Sequence, residues 1–284
     1  MCYRAGMSKA EITFYGVRGS VAAAGKHTQR YGGNTVCLSI RYGKNHIICD
    51  AGTGIRPLGD KLLKSRKKIK ATILLSHLHW DHFMGLPFFE PLYHKRNEFT
   101  IAGMGHSGKS FKTVFTGAMS PPYFPIKPSE FSAKVNYKTL TGKPFRIDDV
   151  SVQTFPCNHP GGSFGWKFIF PNGKTLIHIS DNEPDPRKRD KQIEWMEGAD
   201  LIIHDAQFSP SEYKQHHGWG HSPFNYPVEM AIAANAKRLY MYHYDPPCTD
   251  RELEKRLRSA RGLVRRHRSN LRVDLSREGK SITL

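Results

Sequence analysis

The stretch Ser76-His77-Leu78-His79-Trp80-Asp81-His82 decides how this chain reads, because four side chains able to bind a metal ion fall within six positions. Residues 71–75 before it are apolar and short enough for a buried strand, and the apolar pattern that restarts at 83–89 suits a helix. The cluster is therefore expected in a loop at the C-terminal end of a strand, where α/β folds usually bind ligands. Scattered surface histidines would leave such density without a reason. Metal binding supplies one, since imidazole and carboxylate both ligate divalent ions.

Upstream, residues 11–19 read as a strand that breaks at Gly16 and Gly19, and residues 31–35 mark a second turn. Strands at 36–41 and 46–50, joined by a turn at 42–45, make a hairpin. Asp50 then enters the turn Ala51-Gly52-Thr53-Gly54 and a helix. It is either a buried carboxylate that orients the metal loop or a helix cap, and local sequence does not choose between them.

Downstream, a strand at 99–102 precedes Gly103-Met104-Gly105-His106-Ser107-Gly108-Lys109-Ser110, which literally satisfies the phosphate-loop pattern G-x-x-x-x-G-K-S. No apolar strand ending in a magnesium-binding aspartate accompanies it, so a turn and helix start is the better reading. Residues 119–125 cannot be regular structure, because their prolines fix φ and lack donors. They read either as an aromatic lid over the site or as a crossover.

A strand at 150–155 delivers His159, and a hairpin of strands at 165–170 and 175–180 ends in Asp181. A strand at 201–204 ends at Asp205, and one at 239–242 ends at His243. Five strand ends each present a His or Asp, and one shared site is the economical account. A basic helix at 250–267 follows, then a hairpin of 271–275 and 281–284 around Glu278-Gly279.

The 284 residues suffice for an ample core, and no linker splits them, so 1–284 reads as one domain. Residues 1–10 are expected to be a disordered N-terminal segment, with Met7 an alternative start. Five widely spaced cysteines offer neither a disulfide framework nor a cysteine zinc knuckle, which suggests a reducing compartment. With no signal pattern and no long apolar run, a soluble cytoplasmic protein without a membrane partner is expected. Lysine and arginine number 43 against 25 acids, a net charge of +18, and bunch at 61–70, 187–191 and 251–268. Each cluster singly is a solvated face; together they favour anionic partners.

In this order, His77, His79, Asp81, His82, His159, Asp181 and His243 resemble the signature of the metallo-β-lactamase superfamily, H-x-H-x-D-H followed by a lone His, a lone Asp and a last His. The resemblance covers almost the whole chain and implies an α/β fold, a four-layer αββα sandwich of two mixed sheets flanked by helices. It implies that His77, His79 and His159 hold one zinc ion, that Asp81, His82 and His243 hold a second, and that Asp181 bridges them. Manganese or another divalent ion suits the same ligands. Asp181 stands where true β-lactamases carry cysteine, and His79 where iron-dependent oxidoreductase members carry glutamate.

His204-Asp205-Ala206 and Gly220-His221-Ser222 look like the H-E-A and G-H-S motifs of the phosphodiesterase branch, with Asp205 for Glu. That branch includes tRNA 3′-processing endonucleases and cyclic-phosphate hydrolases. The likeness implies that Asp81 orients an attacking water, that His221 serves the leaving oxygen and that Asp205 orients His221. Long-armed tRNA-processing members insert their arm between the lone His and lone Asp, and here a hairpin alone separates His159 from Asp181. The G-V-R-G-S, Y-G-G-N-T and D-A-G-T-G stretches and the H-W-D-H form match a layout with cyclic-nucleotide members, in which Trp80 would wall the pocket. A cyclic-nucleotide phosphodiesterase is thus the first expectation. The alternatives are tRNA 3′ processing or exonuclease action on nucleic acid, and a non-catalytic basic nucleic-acid-binding protein. A homodimer is expected from the relatives.

Overall fold

The computed structural model describes residues 8–284. Cys2 and Met7 lie outside them, and of the expected disordered segment Ala10 already belongs to the first strand. Strands β1 (Ala10–Gly16), β2 (Cys37–Tyr42), β3 (Asn45–Cys49), β4 (Lys70–Leu74), β5 (Glu98–Met104) and β6 (Lys134–Leu140) build one sheet. Strands β7 (Phe145–Ile147), β8 (Val150–Cys157), β9 (Ser163–Ile169), β10 (Thr175–Ile179), β11 (Leu201–Asp205), β12 (Arg238–Tyr242) and β13 (Arg272–Leu275) build a second. Strand β14 (Ser281–Thr283) returns to the first sheet beside β1.

Each sheet has three antiparallel joints followed by three parallel ones. Strict alternation sorts the β1 side chains: Ile12 and Phe14 enter the space between the sheets, whereas Glu11 and Thr13 face outward. Phe14 meets Tyr240 and Tyr242 across that space at ring distances of 5.7 and 6.0 Å. Helices α1 (Ile55–Leu63) and α3 (Phe111–Ala118) cover the outer face of the first sheet, and between them α2 (Trp80–Phe83) is a single turn. Helices α4 (Arg189–Met196), α6 (Asn225–Ala233) and α7 (Asp250–Arg266) cover the second sheet, with the one-turn α5 (Pro210–Tyr213) in the loop before α6. The result is the four-layer αββα sandwich.

Two expectations need correction, and one open alternative is decided. Residues 83–89 do not continue a helix: α2 stops because Gly85 packs on the turn after β3, where a Cβ would lie 2.0 Å from Gly52 O. Pro87 then opens a short 3₁₀ turn, Leu86–Phe88. Residues 119–125 belong to the crossover between α3 and β6. Phe124 packs edge-on against Phe88 at 5.7 Å, and none of these residues lines the clefts at the metal centre. The last two strands are not a hairpin either, since β13 pairs in parallel with β12 while β14 pairs with β1 in the other sheet.

Candidate metal centre

The side chains singled out in the sequence converge at the C-terminal ends of strands from both sheets. His77 follows β4, His79 caps α2, and Asp81 and His82 lie on α2, while His159, Asp181 and His243 follow β8, β10 and β12. His77, His79 and His159 form one group and Asp81, His82 and His243 another, with donor atoms in each within 4.8 Å of one another. Asp181 stands between them. Its Oδ2 lies 3.8 Å from both His77 Nε2 and His159 Nε2. Its Oδ1 lies 3.1 Å from His82 Nε2 and 3.4 Å from His243 Nε2.

These contacts fit a divalent metal centre better than hydrogen bonds. His82 Nε2 and Asp181 Oδ1 are close, yet neither has a hydrogen bond of acceptable direction, and His77 Nε2 is likewise buried without a partner. Two ligand atoms about 2.0–2.1 Å from one tetrahedral zinc lie about 3.3 Å apart. The observed separations agree: His159 Nε2 to His79 Nδ1 is 3.0 Å, and Asp81 Oδ2 is 3.2 Å from both His82 Nε2 and His243 Nε2.

The electrostatics separate the two groups. Burial holds the His77, His79 and His159 imidazoles below their ordinary range, in the neutral form that ligates metal. Burial also opposes charge on His82 and His243, but carboxylates led by Asp181 outweigh it, and His243 is pushed up to about 9. Asp181 and Asp81 are held well below the carboxylate range: burial would raise them, and the surrounding histidines overcome it. A divalent cation in place of those imidazole protons would balance the same carboxylates.

Supporting groups hold the ligands. Asp50 is fully buried at φ 59° and accepts Ser76 N at 2.8 Å, while its other oxygen lies 3.1 Å from His82 Nδ1. The cap of α1 falls at Gly54 instead, so the orienting reading of Asp50 prevails. Asp205 Oδ2 lies 3.1 Å from His221 Nδ1 and also accepts Asn182 N and Ser222 N, each at 3.2 Å. Asp for Glu thus still reaches its histidine. His221 Nδ1 lies 3.7 Å from Asp181 Oδ2, and its ring stacks on His243 at 4.8 Å. By contrast, neighbouring His216 stacks on Phe208, away from the ligands.

Several positioning residues escaped sequence reasoning. Gln207 Oε1 lies 2.9 Å from His243 Nδ1, and buried Arg256 of the basic helix α7 donates to Gln207 O at 2.6 Å. Buried Glu183 accepts Gly218 N and Gly220 N at 2.7 and 3.0 Å, shaping the loop that presents His221. Arg18 is buried against the Gly32, Asp245 and Cys248 carbonyls, which steadies the turn whose Ser20 N donates to Asp81 Oδ2 at 2.7 Å. The G-V-R-G-S stretch was the available signal for Arg18; Glu183 and Gln207 stand beside motif residues but in no pattern of their own.

Two clefts flank the ligands. One of about 400 Å³ is bounded by Ser20, Leu78, Asp181, His221 and the 73 % exposed Trp80, which walls the opening as expected. The other, of about 320 Å³, lies between His77 and His79 on one side and Met104, His106, Val114 and Gly161 on the other. The 103–110 stretch therefore walls a cleft at the metal centre. It then starts α3, where Ser110 Oγ accepts Thr113 N at 3.2 Å.

A family model described as "Beta-lactamase superfamily domain" matches residues 45–244. Ribonuclease Z of Ignicoccus hospitalis is 26% identical over 260 residues, covering 78% of this chain and 84% of its own. Among solved structures, the metallo-β-lactamase fold protein YhfI of Bacillus subtilis superimposes with a TM-score of 0.73 at 16% identity, covering 98% of this chain and 100% of its own. The short form of human tRNase Z, ELAC1, does so with a TM-score of 0.65 at 18% identity, over 96% of this chain and 98% of its own.

Proposed function

The chain belongs to the β-lactamase superfamily as a metal-dependent phosphodiester hydrolase, and from that premise we propose that its substrate is RNA, cut near the 3′ end of a tRNA precursor. The observation that carries this is similarity along most of both chains to ribonuclease Z, combined with a metal centre opening beside exposed Trp80 rather than into a closed pocket. An exposed indole beside the scissile position suits stacking of an unpaired base. This ranks RNA above the cyclic nucleotides first expected.

In this reading His77, His79 and His159 would hold one zinc ion, Asp81, His82 and His243 a second, and Asp181 would serve both. Such ions, when bound, supply Lewis acidity and a bound water more acidic than bulk water. The chain's own groups do the rest. Asp81, anchored by Ser20 N, accepts a hydrogen bond from the attacking water and sets its line of approach. Asp205 Oδ2 accepts a hydrogen bond from Nδ1–H of His221, which leaves Nε2 to give the departing oxygen a proton that the attacking water's loss of one makes good. A homodimer remains part of the proposal, and sedimentation would test it.

Hydrolysis of a cyclic nucleotide is the second reading, favoured by the cleft of about 320 Å³ beside His77 and His79, a size suited to one small ligand. Metal-loaded protein incubated with precursor tRNA, cyclic nucleotides and single-stranded DNA, with products separated by chromatography, distinguishes these. Precursor tRNA cut at one position, with activity abolished by His77→Ala, is the expected result. Intact RNA at full metal occupancy would sink the first reading, and a protein that binds RNA but hydrolyses nothing would be the non-catalytic binder.

A further inference from the structure

A concavity on the outer face of the first sheet plays no part in this chemistry. It measures about 660 Å³ and lies between the outward face of β1–β3 and the end of α1 with the loop after it. Lys70, the first residue of β4, lines it, whereas Ser76 opens the metal loop, so the two sites lie roughly 20 Å apart along the strand.

Six cations border this cleft: Arg41, Lys44, Lys61, Lys67, Lys68 and Lys70. Lys68 is paired with Glu98 at 3.4 Å; among the described residues the other five have no carboxylate within 4.0 Å. Glu11, opposite Arg41 in the β1–β2 register, is the one acid in the lining. The cations come from β2, the β2–β3 turn, α1, the loop before β4 and the first residue of β4, so they are not one solvated helix face. Lys61 Nζ is held over the Tyr15 ring at 5.6 Å. The floor is neutral: buried Ser39 Oγ and His46 Nε2 are paired at 2.9 Å, and burial lowers the His46 imidazole to about 3. Past Lys44 and Lys70 the groove continues toward Thr72 and Thr100.

We propose that this cleft is a second RNA-binding site, gripping the phosphate backbone of the substrate away from the bond that is cut. A single phosphate needs one or two cations, whereas five uncompensated ones along an open groove match a run of phosphates. The inference rests on RNA being the substrate.

The test is the triple variant Lys61→Glu, Lys67→Glu, Lys70→Glu, compared with the metal-loaded parent for binding of a tRNA without a 3′ trailer, which is not consumed. Affinity should fall at least ~10-fold at ~0.1 M salt, and the slope of log K against log salt should shrink by about 2–3. Turnover of bis-p-nitrophenyl phosphate and an unchanged melting temperature report that the variant is folded and its metal centre intact. Unchanged affinity and slope overturn the cleft, even if precursor tRNA is cut. So does a variant that loses binding of inorganic tripolyphosphate but keeps that of RNA. Cleft-dependent RNA binding by a metal-loaded protein that cuts no RNA supports the cleft and defeats the substrate reading instead.

Discussion

His221 and Asp205 are joined by one hydrogen bond, yet their substitution should have different consequences. His221 donates from a loop, so His221→Ala should lower kcat by roughly 100-fold with little change in melting temperature. Asp205 also accepts the backbone N–H groups of Asn182, Gln207 and Ser222. Asp205→Ala strands those buried donors, and should cost about 3 kcal/mol or more in stability besides the same loss of turnover. Equal melting temperatures for the two variants would refute this division. His46 gives a pH prediction. Its imidazole titrates near 6.5 when unfolded and is lowered by burial to about 3 when folded, so the unfolded chain takes up the proton first as pH falls. Its contribution is complete above pH about 6.5 and is lost progressively toward about 3. Urea midpoints at neutral and acid pH should therefore lie closer together in His46→Gln than in the parent.

At the scale of elements, the site depends on short connections packed backbone to backbone. The turn after β3 and the end of α2 interlock: Gly85 N donates to Ala51 O at 3.0 Å, and Ala51 N donates to His82 O at 2.7 Å. A Cβ on Gly85 would meet Gly52 O at 2.0 Å, a backbone atom that cannot swing away. Gly85→Ala should thus displace α2 with Asp81 and His82, and weaken metal binding by about 10–100-fold, as loss of a supporting partner does. Metal titration followed by calorimetry would measure it, and parental affinity would mean that α2 is not set by this contact. Helix α2 was expected to run through residues 83–89. Periodicity alone cannot see that its glycine lies against another segment.

At the scale of the whole molecule, the metal centre ties the two sheets together. Four buried carboxylates, Asp50, Asp81, Asp181 and Asp205, and six histidines meet there from both. Ions that bind only this assembled state stabilise it by mass action, about 2.7 kcal/mol when free metal is 100 times its dissociation constant. Chelation should lower the melting temperature by several degrees and restored zinc should recover it, whereas a melt indifferent to metal would mean that the ligands do not act as one site. The sequence by itself determined the set of metal-capable side chains, its order, and most strands and helices, because adjacent residues suffice to show alternation and because such side chains are chemically conspicuous. It also singled out His221 and Asp205, whose motifs are local. What only the tertiary structure decided is which atoms share a neighbour: that Asp50 supports His82 rather than capping α1, that Gln207 and Glu183 brace the site, that β13 and β14 part into different sheets, and that five cations from five segments, unpaired among the described residues, line one cleft. Each of these is a meeting of segments distant in the chain. Such meetings depend on how two sheets pack, a property of side chains in space that no local pattern encodes.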